Sequence, residues 1–336
     1  MKKPVNMGII GLGRWGINYF RTFNEITDCA VKHICATKEK TLKEALEKIK
    51  PKKIPKLSIN YEQLLADKEL DAIAITTPGS THYKLAKEAL KANKHVIVEK
   101  PVAFSSKDVK ELIRLSREKN KILMAGHQHL FNPGIQKLKS DMSRGLFGKI
   151  NFIHLAHFGN GPIRTDMSAL WDFFPHSVSI FLYLLEKFPI AISANGESYI
   201  NKGIEDIVTM DAIFPDKIFA VSIGSWLYPI KKMEIVIAGE KLYATFDDYA
   251  QHDKLKYYRN RPRVASGKIV MEDNGYETPK LSDAKPLTEQ LKHFLYCIQN
   301  NKIPLTGGQE ALKVTKVLES AQKSLRNQGK PIKITK

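Results

Sequence analysis

The chain has 336 residues, with 53 lysines and arginines against 35 aspartates and glutamates, a net charge of +18. That length suits two domains, and a composition of 43% hydrophobic and 26% charged residues excludes a disordered chain. Ten of the basic residues are arginine and 43 are lysine, and they are spread over both halves of the chain. Arginine is the preferred reader of bases and phosphates, and no nucleic-acid-binding motif accompanies the charge, so we expect no nucleic-acid partner.

The cysteines and the apolar runs exclude two further classes of protein. Cys29, Cys35 and Cys297 have neither the number expected of a disulfide scaffold nor the spacing of a zinc site. No apolar stretch approaches the roughly 20 residues that cross a membrane. The basic N-terminus runs into a predicted strand, whereas a signal peptide would continue into an apolar segment. We therefore expect a cytoplasmic protein without a membrane partner.

The first part of the chain, residues 1–124, alternates strand and helix signals. Apolar runs predict five strands, over residues 5–10, 31–36, 70–76, 95–98 and 122–125. Apolar residues at helical spacing predict helices between them, ending near residue 24 and covering residues 41–50, 82–93 and 105–119. Repeated βα units of this length predict an α/β Rossmann domain with a doubly wound parallel sheet.

The pattern changes over residues 125–336, for which we predict a second, α+β domain. Helical signals cover residues 133–144, 171–186, 288–300 and 308–327. Strand signals separated by short turns cover residues 150–158, 207–214, 218–223 and 233–238. Such turns are typical of an open-faced, mainly antiparallel sheet. Residues 252–280 are polar, and we expect a loop there.

The segment Gly11-Leu12-Gly13-Arg14-Trp15-Gly16 matches G-x-G-x-x-G between the first predicted strand and helix, the context that a dinucleotide site requires. Gly11 permits the tight turn, Gly13 lets a pyrophosphate approach the backbone, and Gly16 lets the helix pack on the strand. The free N–H groups of the helix N-terminus then face the phosphates. The motif predicts a dinucleotide site that includes Arg14 and Trp15. The alternative is an ordinary glycine-rich βα turn.

The end of the second strand bears on the choice between NAD and NADP. An acidic residue at this place binds the ribose 2′-hydroxyl of NAD, but the chain has Thr37 and Lys38, followed by Glu39. A hydroxyl and a cation suit a 2′-phosphate, so we expect NAD or NADP with a preference for NADP. In the alternative, Lys38 only begins a solvated lysine run and Glu39 or the backbone binds NAD.

Three further motifs follow in order: Thr77-Pro78-Gly79-Ser80-Thr81-His82, Glu99-Lys100-Pro101, and Asp172-Phe173-Phe174-Pro175-His176. With them, the chain resembles the Gfo/Idh/MocA oxidoreductase family over nearly its whole length. Segments 126–133, 164–176 and 304–308 resemble its sugar and nucleotide-sugar dehydrogenases. The resemblance implies hydride transfer between a nicotinamide cofactor and a secondary hydroxyl or ketone of a sugar or nucleotide sugar, with carbon 3 as the expected position. It also implies a homodimer or homotetramer formed through the open sheet.

The resemblance assigns catalysis to Lys100, Asp172 and His176. Lys100 ends a parallel strand, where open α/β sheets bind ligands, and can stabilise a developing alkoxide. Pro101 can hold an unusual, cis turn beside it. A histidine with an ordinary pKa of about 6.5 suits the removal of a hydroxyl proton. Asp172 lies one helical turn before His176 and can orient it or bind a sugar hydroxyl. Pro175 suits the first turn of that helix. The alternatives are a core histidine and an N-capping aspartate.

Weaker assignments complete the predicted site. The resemblance places Thr77, Pro78, His82, Glu99 and Gln128 beside the cofactor, although His82 can equally begin a surface helix. It places Arg164 and Trp171 beside the substrate, although a loop arginine is often only solvated.

The chain also departs from the family pattern. Ser177 and Ser179 stand where relatives often carry an acid, and Leu130 stands where they carry an arginine. The histidines at 127, 129, 154 and 157 lack clustered carboxylates in the sequence, so we expect no metal. Two rival functions stay open: a glycosidase or lyase that uses transient oxidation by bound NAD, and a dinucleotide-sensing regulator. The presence of Lys100 and His176 argues against the regulator.

Overall fold

The structure is a computed structural model, and it describes residues 3–259, 261–272 and 274–334. The strands in chain order are β1 Val5–Ile10, β2 Cys29–Cys35, β3 Lys56–Ser58, β4 Ala72–Ile75, β5 His95–Val98, β6 Leu123–Ala125, β7 Ile150–Asn160, β8 Ala191–Glu197, β9 Ile207–Ile213, β10 Phe219–Ser225, β11 Leu227–Gly239, β12 Tyr243–Asp247, β13 Leu255–Tyr258, β14 Arg261–Ala265, β15 Lys268–Glu272, β16 Tyr276–Glu277 and β17 Ile332–Lys333. The helices are α1 Arg14–Glu25, α2 Glu39–Ile49, α3 Tyr61–Ala66, α4 Gly79–Lys91, α5 Ser106–Glu118, α6 Pro133–Ser143, α7 Ala169–Leu185, α8 Pro286–Asn300 and α9 Gly308–Arg326.

The described chain divides into two compact units that do not follow the predicted boundary after residue 124. The first unit contains the residues through Phe131 together with Ala284–Lys316, and the second contains Asn132–Asp283 together with the residues from Val317 onward. The returning segment belongs to the first unit because it bonds to β6. The Ala125 N–H donates to the Thr306 carbonyl at 2.7 Å, and the Thr306 hydroxyl donates to the Ala125 carbonyl at 2.8 Å.

The first unit is built on the parallel, doubly wound sheet that the sequence predicts. Its six strands run in the order β3-β2-β1-β4-β5-β6, and every pair is parallel. All four residues of β4 are buried, as expected of a strand covered by helices on both faces. Because all six strands run the same way, their carboxyl ends lie at one edge of the sheet, the edge at which open α/β sheets bind ligands.

Two short elements of the first unit, β3 and α3, escaped prediction. A three-residue strand with one buried side chain carries no measurable period of two. The start of α3 is marked by Asn60, whose side chain accepts a hydrogen bond from the Glu62 N–H, but its six residues are too few for a helical pattern. By contrast, α5 begins where predicted, because Ser105 caps it by accepting from the Lys107 N–H.

The second unit contains a nine-stranded sheet in the order β16-β13-β12-β11-β7-β10-β9-β8-β17. The pairing is antiparallel except between β7 and β10, so the predicted, mainly antiparallel sheet is present. The predicted loop over residues 252–280 is wrong, since it contains β13, β16 and the hairpin of β14 and β15. Strand β13 alternates between buried and partly exposed side chains, but its four residues are too few for a recognisable period of two, and the two residues of β16 are exposed.

Helix α7 carries two of the predicted catalytic residues and is almost entirely buried. It begins at Ala169, with Ser168 at the N-cap, two residues before the predicted start. Pro175 therefore lies inside the helix and not in its first turn, which corrects the sequence expectation. Asp172 is not the N-cap. None of the described helices has the length and apolar composition needed to span a membrane.

Candidate functional site

The glycine turn between β1 and α1 uses its three glycines in different ways. Gly11 has φ +93°, and a Cβ there would lie 2.8 Å from the Thr77 side chain. A Cβ at Gly16 would lie 2.0 Å from the Gly11 carbonyl oxygen, so only glycine lets α1 pack against this turn. A Cβ at Gly13 would meet nothing within 4 Å. The backbone at Gly13 is therefore open to a ligand.

The residues that would meet the two ends of a dinucleotide are exposed at both ends. Arg14 and Trp15 are exposed on the first turn of α1. Thr37 and Lys38 are exposed after β2, and Lys38 is the N-cap residue of α2. Glu39 is equally exposed. A hydroxyl, an ammonium and a carboxylate therefore all face solvent at the place where the adenosine ribose is selected.

Glu99 directly follows β5 and is a buried carboxyl group with 8% of its surface exposed. Its Oε1 accepts a hydrogen bond from the Tyr19 hydroxyl at 2.8 Å, and its Oε2 accepts from the Lys100 N–H at 3.2 Å. Burial raises the pKa of the Glu99 carboxyl, while the nearby Lys100 charge opposes that shift. Gln290 of α8 donates to the Tyr19 hydroxyl at 3.0 Å. The sequence does not reveal this chain of three buried side chains.

Lys100 follows Glu99 at the carboxyl edge of the sheet, and its side chain is partly exposed. The peptide bond between Lys100 and Pro101 is cis, as the sequence allowed. Gln128 follows β6 at the same edge and is also partly exposed. The structure thus brings the glycine turn, the Thr77-Pro78 loop, Glu99, Lys100 and Gln128 to one edge of one sheet.

Two buried histidines lie at this edge, and each has a hydrogen-bond partner from another part of the chain. His127 is 2% exposed, and its Nδ1 lies 2.7 Å from Glu310 Oε2. His82 is 1% exposed, which excludes the surface position considered for it. Its Nδ1 lies 2.7 Å from the Pro101 carbonyl oxygen, and its Nε2 lies 2.7 Å from the Thr77 carbonyl oxygen. Within the described ranges, no group of three or more potential ligands from His, Cys, Asp and Glu has the arrangement of a metal site.

The second unit carries Arg164, Trp171, Asp172 and His176. Asp172 Oδ2 accepts a hydrogen bond from Trp226 Nε1 at 2.9 Å, and Arg164 Nη1 lies 3.8 Å from Asp172 Oδ1. Arg164 also donates twice to Asp166, at 2.8 and 2.6 Å, and this ion pair lowers the pKa of the Asp166 carboxyl. Two carboxylates therefore already neutralise the arginine that the sequence offered as a phosphate ligand.

His176 lies one turn after Asp172 on α7 and is 5% exposed. Its ring centroid is 5.7 Å from that of His157 on β7, whose ring in turn lies 4.8 Å from Phe173. Trp171 Nε1 donates to Gln322 Oε1 at 3.0 Å, so its polar atom is occupied inside the unit. Trp226 and His157 were not among the predicted site residues. The only sequence signal was for His157, which is one of several histidines at strand spacing, and none pointed to Trp226.

Two protein-family models match the chain. Residues 5–127 match the model described as oxidoreductase family, NAD-binding Rossmann fold, and residues 135–245 match the GFO/IDH/MocA C-terminal domain. The chain belongs to the Gfo/Idh/MocA oxidoreductase family. The predicted family, its two-domain architecture and a nicotinamide-dependent oxidoreductase are therefore confirmed.

Individual relatives are distant. The uncharacterized oxidoreductase YrbE of Bacillus subtilis (strain 168) is 24% identical over 99% of this chain and 98% of its own length. Myo-inositol 2-dehydrogenase of Thermotoga maritima is 26% identical over 60% of each chain. UDP-N-acetylglucosamine 3-dehydrogenase of Acidithiobacillus ferrooxidans is 27% identical over 56% of this chain and 57% of its own. Its solved structure superposes with a TM-score of 0.82 at 20% identity, covering 97% and 99% of the two chains, and so shows the shared fold.

Proposed function

We propose that the protein transfers a hydride between a nicotinamide dinucleotide and a secondary hydroxyl or ketone of a sugar or nucleotide sugar, with carbon 3 as the reacting position. The observation that carries the proposal is the pairing of Asp172 and His176 on one face of α7, in a family whose other domain binds NAD. The relatives named above as inositol and UDP-N-acetylglucosamine dehydrogenases support a polyhydroxylated substrate.

The first unit fits the cofactor, because the backbone at Gly13 is open and the neighbouring N–H groups of α1 are free to face a pyrophosphate. Thr77, Pro78 and Glu99 would hold the nicotinamide ribose, and Gln128 the carboxamide or substrate. When bound, the nicotinamide supplies the hydride acceptor or donor. Lys100 would bond the reacting oxygen and stabilise its negative charge as the hydroxyl proton leaves.

The second unit supplies the proton transfer. His176 takes the hydroxyl proton during oxidation and returns it during reduction. The bond from Trp226 uses one of the roughly four acceptor sites of the Asp172 carboxylate. Asp172 can therefore also accept a hydrogen bond from a sugar hydroxyl or orient His176. Arg164 and Trp171 act as supports of this part of the site. Asp166 already pairs with the Arg164 charge, and Gln322 already accepts from the Trp171 N–H.

The experiment that tests the reaction compares Lys100→Ala with Lys107→Ala, which removes an exposed lysine in the first turn of α5. Each variant is supplied with NAD⁺ or NADP⁺ and a panel of sugars and nucleotide sugars, and reduced nicotinamide is followed by absorbance. We expect Lys100→Ala to lose at least about a hundredfold in kcat while its cofactor affinity changes little, and Lys107→Ala to match wild type. Turnover unchanged in Lys100→Ala would refute the assignment.

The same assay separates the rival chemistries. Accumulation of NAD(P)H in proportion to the sugar consumed supports a dehydrogenase. A cofactor that stays bound and never accumulates in reduced form, while a glycoside is cleaved, would establish the transient-oxidation alternative. Tight cofactor binding without turnover of any substrate would favour a sensor.

We further propose a preference for NADP, which rests on exposed Lys38 at the end of β2. Lys38→Glu should lower the ratio of NADPH to NADH affinity by about tenfold, because a charge attracted to the 2′-phosphate becomes one that repels it. Lys40→Glu makes the same charge change at a side chain that is 84% exposed and serves as the control. An unchanged ratio in Lys38→Glu would assign the ribose contact to Glu39 or the backbone.

Assembly as a homodimer or homotetramer through the open sheet is also proposed. Ile213 and Phe219 are cross-strand partners on β9 and β10 and are 44% and 42% exposed. Phe152 stacks beside Phe219 with ring centroids 6.4 Å apart, which makes a continuous apolar patch. Phe219→Asp should shift the sedimentation coefficient toward that of the monomer.

The free thiols of the cysteines support the proposed cytoplasmic location.

A further inference from the structure

We propose that His82 is a positioning residue that ties the loop after β4 to the loop after β5. This proposal rests on the proposed function, because those loops carry Thr77, Pro78 and Lys100. Each ring nitrogen of His82 lies 2.7 Å from a backbone carbonyl oxygen, one from each loop. With 1% of the residue exposed, the imidazole is a buried link and has no polar edge to offer a ligand.

The chemistry of the ring supports a link in either protonation state. A neutral imidazole has one N–H and donates to one of the two carbonyls, whereas an imidazolium donates to both. In either state the ring fills the space between the Thr77 and Pro101 carbonyls. A buried carbonyl that loses its donor retains the cost of its desolvation, so removing a neutral ring leaves one of the two carbonyls unsatisfied, and removing an imidazolium leaves both unsatisfied.

The two loops need such a link because the backbone ladder ends before them. The parallel register of β4 and β5 ends at Ile75 and Val98, and the last bond along it runs from the Glu99 N–H to the Ile75 carbonyl at 2.9 Å. Thr77 is bonded to the helix that follows it, α4, since its hydroxyl lies 2.7 Å from that of Thr81. That bond does not reach the loop after β5. The His82 ring supplies a connection between the loops beyond the end of the ladder.

The consequence is that His82 sets the separation between the Thr77-Pro78 backbone and the Lys100-Pro101 turn. A dinucleotide held by both loops meets a preorganised gap and avoids the cost of ordering them. His82 thus controls cofactor affinity and the placement of Lys100 without touching either the cofactor or the substrate.

The test uses His82→Leu and His82→Gln in the full chain, with His95→Gln as a matched control. His95 is a partly buried histidine of the same unit at the opposite end of β5, where its Nδ1 accepts one backbone N–H, from Ile122. Affinity is measured by the fluorescence of NADH or NADPH, whichever the wild type binds more tightly. The melting temperature is recorded with and without that cofactor.

We expect His82→Leu to weaken cofactor binding at least tenfold and to shrink the cofactor-induced rise in Tm. His82→Gln, whose amide can donate to one carbonyl, should lie between Leu and wild type, and His95→Gln should bind like wild type. A role confined to stability would lower Tm in both cofactor-free and cofactor-bound protein by the same amount, which would overturn the proposal. If His82→Leu does not fold, wild-type affinity in His82→Gln would overturn it. Absence of cofactor binding by the wild type would refute the proposed function instead.

Discussion

Gly13→Ala separates the binding role of the glycine turn from its structural role. The φ of Gly13 is −71°, a value open to alanine, and the added Cβ meets nothing within 4 Å. Alanine is a poorer N-cap than glycine by about 0.5–1 kcal/mol, but it lowers the entropy of the unfolded chain by about 0.4–1 kcal/mol. These two effects nearly cancel, so the free energy of unfolding should change by less than about 0.5 kcal/mol.

Cofactor binding should respond differently, because the new methyl group occupies the open space through which a pyrophosphate would approach. We expect at least a tenfold loss in NADH affinity, equivalent to about 1.4 kcal/mol. Fluorescence titration and urea unfolding of the same preparations measure the two quantities. Unchanged affinity in Gly13→Ala would show that the pyrophosphate does not pass this residue.

Gly16→Ala is the control with the opposite expectation. Its Cβ would lie 2.0 Å from the Gly11 carbonyl oxygen, so the backbone of the turn must shift. Overpacking of this kind costs about 3 kcal/mol, which corresponds to a fall in Tm of ~6–12 °C for a unit of this size. A wild-type Tm in Gly16→Ala would refute the packing argument.

Two further predictions concern the second unit, and one concerns His95 of the first unit. Trp226→Phe removes the N–H that binds Asp172, a charge-assisted bond, and should lower kcat by about tenfold or more in the sugar oxidation assay, with cofactor affinity unchanged. Burial lowers the pKa of His95 to about 4, so the folded protein resists its protonation while the unfolded chain accepts it near pH 6.5. The neutral His95 therefore contributes to the free energy of unfolding above about pH 6.5, and this contribution is lost as the pH falls toward 4. Urea unfolding at several pH values measures it, and His95→Gln should lose less stability over this pH range than the wild type. Asp141→Ala should destabilise the second unit by about 3 kcal/mol in urea unfolding, because it removes a buried carboxylate that pairs with Lys137 and accepts from the Tyr257 hydroxyl; a loss below ~1 kcal/mol would contradict this.

The parts of the site that the sequence predicted are those whose chemistry is local. The glycine turn, the end of β5 at Lys100 and the helix with His176 each consist of neighbouring residues, so their spacing carries the information. Strand β5 was predicted with the correct bounds because three apolar residues after His95 are followed at once by a charged pair. The start of α7 was predicted two residues late, because residues 169–171 are apolar and no change of pattern marks where the helix begins.

The supporting residues could not be predicted because their partners are remote in sequence. Trp226 is separated from Asp172 by 54 positions, Tyr19 from Glu99 by 80, and Gln290 from Tyr19 by 271. A single sequence gives no information on which distant side chains meet in space. The returning segment 284–316 escaped for the same reason, since its bonds to β6 cross about half the chain.

That returning segment has a consequence for how the protein is made. The edge of the first sheet is completed by Thr306, which is synthesised long after Ala125. Domains usually fold as units during synthesis, N-terminal first, but here the cofactor-binding unit stays incomplete on the ribosome until nearly the whole chain has emerged. A gene fragment that stops after residue 124 would lack Gln290 behind Tyr19 and the pair of hydrogen bonds between Ala125 and Thr306. Expressing the dinucleotide-binding half alone therefore requires residues 284–316 to be joined to it.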